Sequence, residues 1–261
     1  MSLRSSLPRP QGAPAPLTGG FAVRARGLAK RFGKVRAVDG LDLAIPEGSL
    51  YALLGPNGAG KTTTINLLTG LTTPDAGEAE VAGFGLAEPL GIKAAVGVVL
   101  ENHPLFENLT PREYLRFVGE MKGLAAAAAA AEAETLLDVV QLAERGRLLK
   151  GLSKGTKQKA AIASAFMASP ALVILDEPLV GIDPVAVRAI KDHLRRYVDG
   201  GRTVLMSSHI LEVVERLCTH VTILHHGRAV VEGEVGTLTR GGTSLEDIFL
   251  AAVGAAPEAS P

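Results

Sequence analysis

The sequence predicts an α/β fold in which buried strands alternate with helices and a helical block is inserted between two of the strands. Two observations lead to this prediction. Compact apolar runs at 49–54 and 172–175 have the length and composition of strands buried on both faces of a sheet. Between them, residues 111–168 carry a pattern that is mostly helical. Strand–helix alternation of this kind is typical of a parallel sheet covered by helices.

The elements follow one another clearly along the first part of the chain. Residues 1–20 contain several prolines, serines and glycines, which is typical of a disordered tail. From residue 21 to residue 45 we expect short β segments broken by Gly27, Gly33 and Gly40, forming an antiparallel β subdomain. A helix is expected over 62–71.

The remaining elements alternate between helix and strand. Thr110 and Pro111 supply an N-cap and a first-turn proline for the start of the helical block. The block also contains an uninterrupted run of alanines at 125–131, which favours helix strongly. A helix over 184–198 and a strand over 204–207 come next, and a short terminal helix is expected over 245–252.

The composition is that of an ordinary globular chain and limits the classes of partner. Of the 261 residues, 47% are hydrophobic, which is enough to build a core. Basic and acidic residues number 27 each, and this balance disfavours a nucleic-acid binder held by phosphate contacts. Only basic charges precede Asp39, which favours a tail and a strand with solvated edges and leaves open a contact with nucleotide or anionic lipid.

The cysteine content and the hydropathy pattern indicate a chain that is soluble on its own. Cys218 is the only cysteine, so no intramolecular disulfide can form, and its apolar neighbours indicate burial. No stretch approaches the roughly 20 apolar residues that a membrane-spanning helix requires. The N-terminus has no continuous apolar run of the kind found in secretory signals.

Residues 55–62, GPNGAGKT, form a P-loop placed between a predicted strand and a predicted helix. Glycines allow backbone N–H groups to converge on phosphates, and the N-terminus of the following helix adds a positive dipole end. Lys61 supplies a mobile charge, and the Thr62 hydroxyl can bind Mg²⁺. The predicted ATP-phosphate contacts are Asn57, Gly58, Ala59, Gly60, Lys61, Thr62 and Thr63.

A second phosphate-site element follows the predicted strand at 172–175. Asp176 is expected to hold Mg²⁺, and Glu177 is placed to polarise the attacking water as a general base. Strand-end acids are common, so this pair alone is weak evidence, but together with the P-loop it is strong. The sequence therefore predicts a P-loop NTPase core.

Residues 152–159, LSKGTKQK, resemble the LSGGQ signature of the ABC ATPases and its basic continuation. Ser153 as an N-cap and Gly155 as a point of close approach would form another anion site. The chain resembles this family over about residues 21–233. The resemblance implies a head-to-tail dimer in which ATP lies between the P-loop of one subunit and Ser153 of the other.

The resemblance implies roles for further residues. Phe32 matches the aromatic residue that stacks on adenine, and Glu101 matches the position that senses Mg²⁺ and the membrane partner. Residues 180–183 resemble the D-loop, which touches the other subunit, and His209 matches the switch histidine near the γ-phosphate. The implied catalytic residues are therefore Lys61, Glu177 and His209, and the implied metal ligands are Thr62, Glu101 and Asp176.

Several positions depart from the family pattern. Lys154 and Thr156 replace a small residue and the glutamine of the signature, and the extra cation could either strengthen a phosphate contact or remain in solvent. Leu179 and Val180 stand where Thr-Ser is frequent, and Ser164 stands where an arginine often follows the signature helix. Because every element that touches phosphate or metal is intact, we expect these departures to affect the turnover rate and not to disable the site.

The resemblance as a whole implies an ATP- and Mg²⁺-dependent ATPase that powers transport. The terminal stretch 243–250 resembles that of exporter subunits, which favours export. The expected domains are an ABC ATPase domain over 21–235, with a helical subdomain at about 102–168, and a short C-terminal helix and tail over 236–261.

The implied partners are a separate membrane-spanning permease and a second ATPase subunit, at the cytoplasmic face of the cell membrane. Two alternatives remain: a soluble ABC ATPase without a transport role, and a weakly hydrolysing regulatory subunit.

Overall fold

The computed structural model describes residues 20–101 and 104–254 as two β-sheets with helices packed around them. The predicted tail over 1–20 lies outside the described residues, except for Gly20. The strands are β1 (Phe21–Phe32), β2 (Val35–Pro46), β3 (Leu50–Leu54), β4 (Ala76–Val81), β5 (Phe84–Gly85), β6 (Val96–Val99), β7 (Leu172–Leu175), β8 (Thr203–Ser208), β9 (His220–His225) and β10 (Arg228–Glu234).

Helices pack against both faces of the larger sheet. They are α1 (Lys61–Leu68), α2 (Pro89–Ala95), α3 (Pro111–Met121), α4 (Ala126–Val139), α5 (Lys154–Ala165), α6 (Pro184–Asp199), α7 (Leu211–Leu217), α8 (Val235–Leu238) and α9 (Leu245–Gly254). Two 3₁₀ turns lie at Leu149–Gly151 and Arg240–Gly242. None of the helices in the described ranges has both the length and the apolar character needed to cross a bilayer.

The smaller sheet is antiparallel, as predicted, with strand order β2-β1-β4-β5. The prediction of short segments was wrong at two positions, because β1 runs through Gly27 and β2 runs through Gly40. Register shifts near both glycines, which have positive φ angles, absorb the irregularity without ending the strands. Gly33 does lie in the turn between β1 and β2, as expected.

The larger sheet has strand order β10-β9-β3-β8-β7-β6. Strands β6, β7, β8, β3 and β9 are parallel, and β10 adds an antiparallel edge. Every residue of β3 and β7 is buried, as predicted for strands covered on both faces. The carboxyl ends of β3, β8, β7 and β6 lie side by side, so the loops that follow them share one edge of the sheet.

The helical insertion consists of α3, α4 and α5, which pack against one another. The predicted N-cap is confirmed, since Thr110 and Glu113 form a reciprocal capping box. The alanine run begins α4 and permits close packing, because a Cβ on Gly119 would lie 2.9 Å from the Cβ of Ala129. Helix α1 ends at Leu68 rather than at residue 71, since Gly70 adopts a left-handed conformation. Cys218 is buried, as expected.

Candidate functional site

The P-loop connects the end of β3 to the start of α1, and its path requires glycine at two buried points. A Cβ on Gly55 would lie 2.5 Å from the carbonyl oxygen of Leu224. A Cβ on Gly60 would lie 2.4 Å from the carbonyl oxygen of Ala37, and the φ angle of Gly60 is +106°. Any side chain at these positions would push the loop away from the sheet.

The turn between β9 and β10 and the start of β2 hold the P-loop from behind. The N–H of Gly227 donates to the carbonyl of Ala59 at 3.0 Å, and the N–H of Asp39 donates to the carbonyl of Gly227 at 2.9 Å. Arg228 binds the Asp39 carboxylate at 2.7 Å, and this hydrogen bond holds the pKa of Asp39 below its usual range. The loop is therefore fixed by contacts with two neighbouring segments rather than by its own sequence alone.

Lys61 is the buried cation of the site. Its side chain is 8% exposed, and its Nζ donates to the carbonyl oxygens of Gly55 at 2.7 Å and Pro56 at 3.2 Å. The same Nζ lies 3.6 Å from Oε1 of Glu177. The ammonium group is thus held at the inside of the loop, beside the proposed general base.

Asp176 is fully buried at the end of β7 and is only partly satisfied. Its Oδ1 accepts a short hydrogen bond from the hydroxyl of Ser207 on β8, and its N–H donates to the carbonyl of Val99 at 2.8 Å. Its Oδ2 is buried and has no hydrogen-bond partner among the described residues. A buried carboxylate oxygen without a partner is costly, so this atom is suited to a cation or to water bound to one.

Glu177 occupies a strained position between Lys61 and His209. Its φ angle is +46°, which is uncommon for a residue with a Cβ and is often found at functional sites. Its N–H donates to Oγ of Ser207 at 2.8 Å. Its Oε2 lies 3.0 Å from Nδ1 of His209, and its side chain is 14% exposed. The structure therefore brings the three sequence-predicted catalytic residues together around one carboxylate.

Ser207 is the residue of this cluster that the sequence reasoning missed. It accepts from the backbone of Glu177 and donates to the carboxylate of Asp176, so it fixes both acids with one hydroxyl. The available signal was its place in the strand-ending Ser207-Ser208-His209. Using that signal would have required knowing that β8 is paired with β7.

Ser153, near the start of the signature stretch, makes no hydrogen bond to this cluster among the described residues. Ser153 caps α5, and its Oγ accepts from the N–H of Thr156 at 3.1 Å and shares a 2.8 Å hydrogen bond with the Thr156 hydroxyl. Among the described residues, Ser153 makes no hydrogen bond to the P-loop of its own chain. Gly155 is packed against the loop that follows Glu177, since a Cβ there would lie 2.5 Å from the carbonyl oxygen of Gly181.

The remaining predicted residues lie around the same edge. Phe32 ends β1 and is 52% exposed, with Nζ of Lys30 at 5.7 Å from its ring centroid, so it is not part of the core. Thr62 and Thr63 lie in the first turn of α1 and are half-buried. Glu101 is exposed and follows the end of β6, the strand next to β7.

A strand–loop–helix phosphate site with two strand-end carboxylates defines the class of P-loop nucleoside triphosphatases. Within this class, the sequence profile described as ABC transporter matches residues 38–180. The chain therefore belongs to the ABC transporter family, as an ATP-binding and ATP-hydrolysing subunit.

Relatives and solved structures agree with this assignment. The chain is 39% identical over 219 residues to the daunorubicin/doxorubicin resistance ATP-binding protein DrrA of Streptomyces peucetius, covering 83% of this chain and 66% of that protein. It is 39% identical over 218 residues to the Nod factor export ATP-binding protein I of Burkholderia lata, covering 80% of this chain and 69% of that protein. The chain thus spans about two thirds of the length of these relatives.

A solved structure described as the ATP-binding subunit of an ABC transporter superimposes with a TM-score of 0.82 at 31% identity. The superposition covers 88% of this chain and 99% of that one.

Proposed function

We propose that two ATPase subunits of this type close head to tail around ATP and power export through a separate membrane-spanning permease. The observation that carries this proposal is the convergence of Lys61, Glu177 and His209 beside Asp176 at one sheet edge. The relatives named for drug resistance and Nod factor export support an export role. The balanced net charge gives no support for a nucleic-acid partner.

In this proposal, Glu177 accepts the proton of the attacking water while Lys61 and His209 stabilise charge on the transferred phosphoryl group. The 3.0 Å contact with His209 and the 3.6 Å contact with Lys61 hold the carboxylate in place. A positioned base of this kind contributes about 10²–10⁴ in rate. The intact cluster supports a hydrolysing subunit over a weakly hydrolysing regulatory one.

Mg²⁺ fits the residues present at the end of β7. Oδ2 of Asp176 is buried and has no hydrogen-bond partner within residues 20–101 and 104–254, and hard oxygen ligands are those that Mg²⁺ prefers. Asp176, Thr62 and Glu101 are the proposed protein contacts of the ion, directly or through water. When bound with ATP, the ion would neutralise charge on the phosphates.

The rest of the nucleotide is proposed to lie along the P-loop and the end of β1. The backbone N–H groups of 57–60, with Thr63 in the first turn of α1, are proposed to bind the phosphates. The exposed ring of Phe32 is proposed to stack on adenine. The second subunit is proposed to close the site with Ser153 and Gly155, at the positive end of its α5.

An exposed aromatic cluster on the helical insertion is proposed to contact the permease. Phe106 is 57% exposed, Phe117 is 40% exposed and Met121 is 73% exposed, and the two phenylalanine rings lie 5.2 Å apart. Exposed apolar patches of this kind mark interaction sites. The cluster begins close after Glu101, so docking there would be sensed at the sheet edge that holds the acids.

The proposed domain division follows from these roles. Residues 21–235 are proposed to be the ATPase domain, with the permease-contacting helical subdomain at about 102–168 within it, and α9 is proposed to be the C-terminal helix that follows this domain. Binding to a permease would place the subunit at the cytoplasmic face of the cell membrane.

The direct test is Glu177→Gln in the purified chain. Binding of a fluorescent ATP analogue should keep its affinity, while steady-state phosphate release should fall by about 10²–10⁴ because the base is lost. Glu212→Gln, which neutralises an exposed acid on α7, is the matched control and should hydrolyse at the parent rate. Parent-level hydrolysis by Glu177→Gln would refute this role for the residue.

Membrane docking is tested separately. The variant Phe106→Ser/Phe117→Ser should keep basal ATPase activity but sediment less with inside-out membrane vesicles from the cell that makes the protein. Equal sedimentation of the variant and the parent would exclude this cluster as the docking surface.

A further inference from the structure

Three contacts join the first turns of α5 to the loop over residues 177–183, which we name the base loop because it begins at Glu177. The first is the backbone approach of Gly155 to Gly181, where a Cβ would lie 2.5 Å from the Gly181 carbonyl oxygen. Because no side chain fits between them, the helix and the base loop touch directly. The helix cannot shift toward the base loop without moving it.

The second contact lies next to the proposed base. The side-chain amide of Gln158 donates to the carbonyl of Pro178 at 3.3 Å, and Gln158 is 5% exposed. A buried amide without this bond would be costly, so the contact is specific. The backbone at 177–178 is thereby held at two points, since the N–H of Glu177 is bonded to Ser207 and the carbonyl of Pro178 is bonded to Gln158.

The third contact is an ion pair at the far end of the base loop. Nζ of Lys159 lies 2.5 Å from Oδ2 of Asp183, and the Lys159 side chain is 13% exposed. Asp183 also caps α6 by accepting from the N–H of Ala186 at 2.9 Å. The hydrogen bond with Lys159 lowers the pKa of Asp183, which is consistent with a formed ion pair. The pair therefore ties α5 to both the base loop and α6.

We infer that Gln158 and Lys159 are positioning residues for Glu177, which transmit the position of the signature helix to the general base of the same chain. This inference rests on the proposed function, in which Ser153 contacts the nucleotide of the partner subunit. The N-cap of α5 would then contact the nucleotide bound by the partner subunit, while Glu177 acts on the nucleotide bound by its own chain. Because the linkage lies within one chain, it makes hydrolysis at the two sites cooperative.

The strained backbone of Glu177 makes it sensitive to this linkage. Its φ of +46° persists only while surrounding contacts hold it. The backbone around it is held by two different elements: Ser207 on β8 accepts from the N–H of Glu177, and Gln158 on α5 donates to the carbonyl of the next residue, Pro178. A shift of α5 would release one of them and turn the carboxylate away from its position beside Lys61.

The test compares Lys159→Met, Lys159→Arg and Asp183→Asn in steady-state phosphate release at varied ATP concentration. Lys159→Met should lower kcat about tenfold with KM for ATP within about twofold, because it displaces the base without touching the P-loop. Asp183→Asn keeps the cap of α6 but removes the ion pair, so it should show a similar loss. Lys159→Arg should restore most of the activity.

The Hill coefficient for ATP distinguishes a positioning role from a merely structural one, because a merely structural defect would leave it unchanged. The parent should show a Hill coefficient for ATP above one, and Lys159→Met and Asp183→Asn should each show a value near one. The double variant should be no worse than either single variant. Arg216→Gln, which removes an exposed ion pair on α7, should match the parent in kcat and Hill coefficient.

A parent Hill coefficient of one, or parent-level kcat and cooperativity in both Lys159→Met and Asp183→Asn, would overturn the inference. Light scattering of the Glu177→Gln chain with ATP separates this outcome from failure of the proposed function. If that chain does not dimerise with ATP, the two-subunit proposal itself fails. If it dimerises while Lys159→Met behaves like the parent, only the linkage through α5 is excluded.

Discussion

The P-loop half and the signature half of the proposed nucleotide site are built in different ways. In the P-loop half, Asp176 and Lys61 are buried, and hydrogen bonds from β8 and the β9–β10 turn fix the surrounding backbone. In the signature half, Ser153 is exposed, and among the described residues its side chain is hydrogen-bonded only to Thr156. One half is part of the core, whereas the other is the capped end of a single helix.

This difference indicates which half of the nucleotide site a single chain can form without a partner subunit. Groups held by several elements are preorganised, so the P-loop half should bind ATP without a partner. The signature half presents donors to solvent and needs a second subunit's nucleotide to use them. Substitutions in the two halves should therefore separate ATP binding from ATP hydrolysis.

The largest expected effect contrasts two glycines whose added Cβ would meet a carbonyl at about the same distance. Gly60→Ala combines that clash with a φ of +106°, so it should cost about 3 kcal/mol or more of folding free energy and abolish ATP binding. Gly155→Ala carries only the clash and should cost about 1–3 kcal/mol while ATP binding survives. Urea unfolding and titration with a fluorescent ATP analogue measure both quantities. Equal loss of ATP binding in Gly60→Ala and Gly155→Ala would contradict the predicted difference between the P-loop half and the signature half.

The next effect concerns hydrolysis alone. Ser153→Ala should lower phosphate release about a hundredfold, as expected when one donor to transition-state charge is lost. ATP affinity of the isolated subunit should not change, and stability should fall by about 1 kcal/mol because the N-cap is lost. Ser153→Thr keeps a hydroxyl and serves as the control. A Ser153→Ala chain with parent-level turnover would place the signature outside the reaction.

A smaller expected effect is a dependence of the unfolding free energy on pH, which arises from a histidine behind the signature helix. His193 on α6 packs edge-on against Phe166, with 4.6 Å between ring centroids, and its Nε2 is buried with no hydrogen-bond partner in the part of the chain that the structure describes. Burial lowers the pKa of His193 to about 4, from an unfolded value near 6.5. The unfolded chain therefore binds more protons between these values, so stability is kept above about pH 6.5 and lost as the pH falls toward 4.

At pH 5 this loss should reach about 2 kcal/mol. His193→Phe should flatten the dependence of unfolding free energy on pH between 5 and 7, as measured by urea unfolding. Leu90→Ala, which removes an exposed and non-titrating side chain on α2, is the control and should keep the parent slope. An unchanged slope in His193→Phe would show that another group is responsible.

The smallest expected effect is on KM for ATP, and it tests the proposed adenine contact at the edge of the P-loop half. Phe32→Ala should raise KM for ATP about tenfold, in line with the loss of one base–aromatic stacking contact. Phe32→Tyr keeps the ring and should match the parent. Leu71→Ala removes an equally exposed apolar side chain and should leave KM unchanged. No change in KM for Phe32→Ala would exclude the adenine assignment.

Much of the architecture was predictable because it depends on short-range patterns. The buried strand at 172–175, the helix starting at Pro184 and the cap at Thr110 were predicted from neighbouring residues and are confirmed. Gly27 and Gly40 were misread as strand ends, since a bulge is set by the partner strand rather than by the glycine. The roles of the site residues stay predictions, although the structure places three of them in contact.

The sequence by itself determined the P-loop, the acidic pair after β7 and the cap at Ser153, because each is a local requirement of backbone geometry and charge. Only the tertiary structure decided that Ser207 joins Asp176 to Glu177 and that Gln158 reaches Pro178. Those contacts depend on which strands are paired and on how α5 packs beside the base loop. Strand order and helix packing are long-range outcomes of burying the whole core, and no local pattern encodes them.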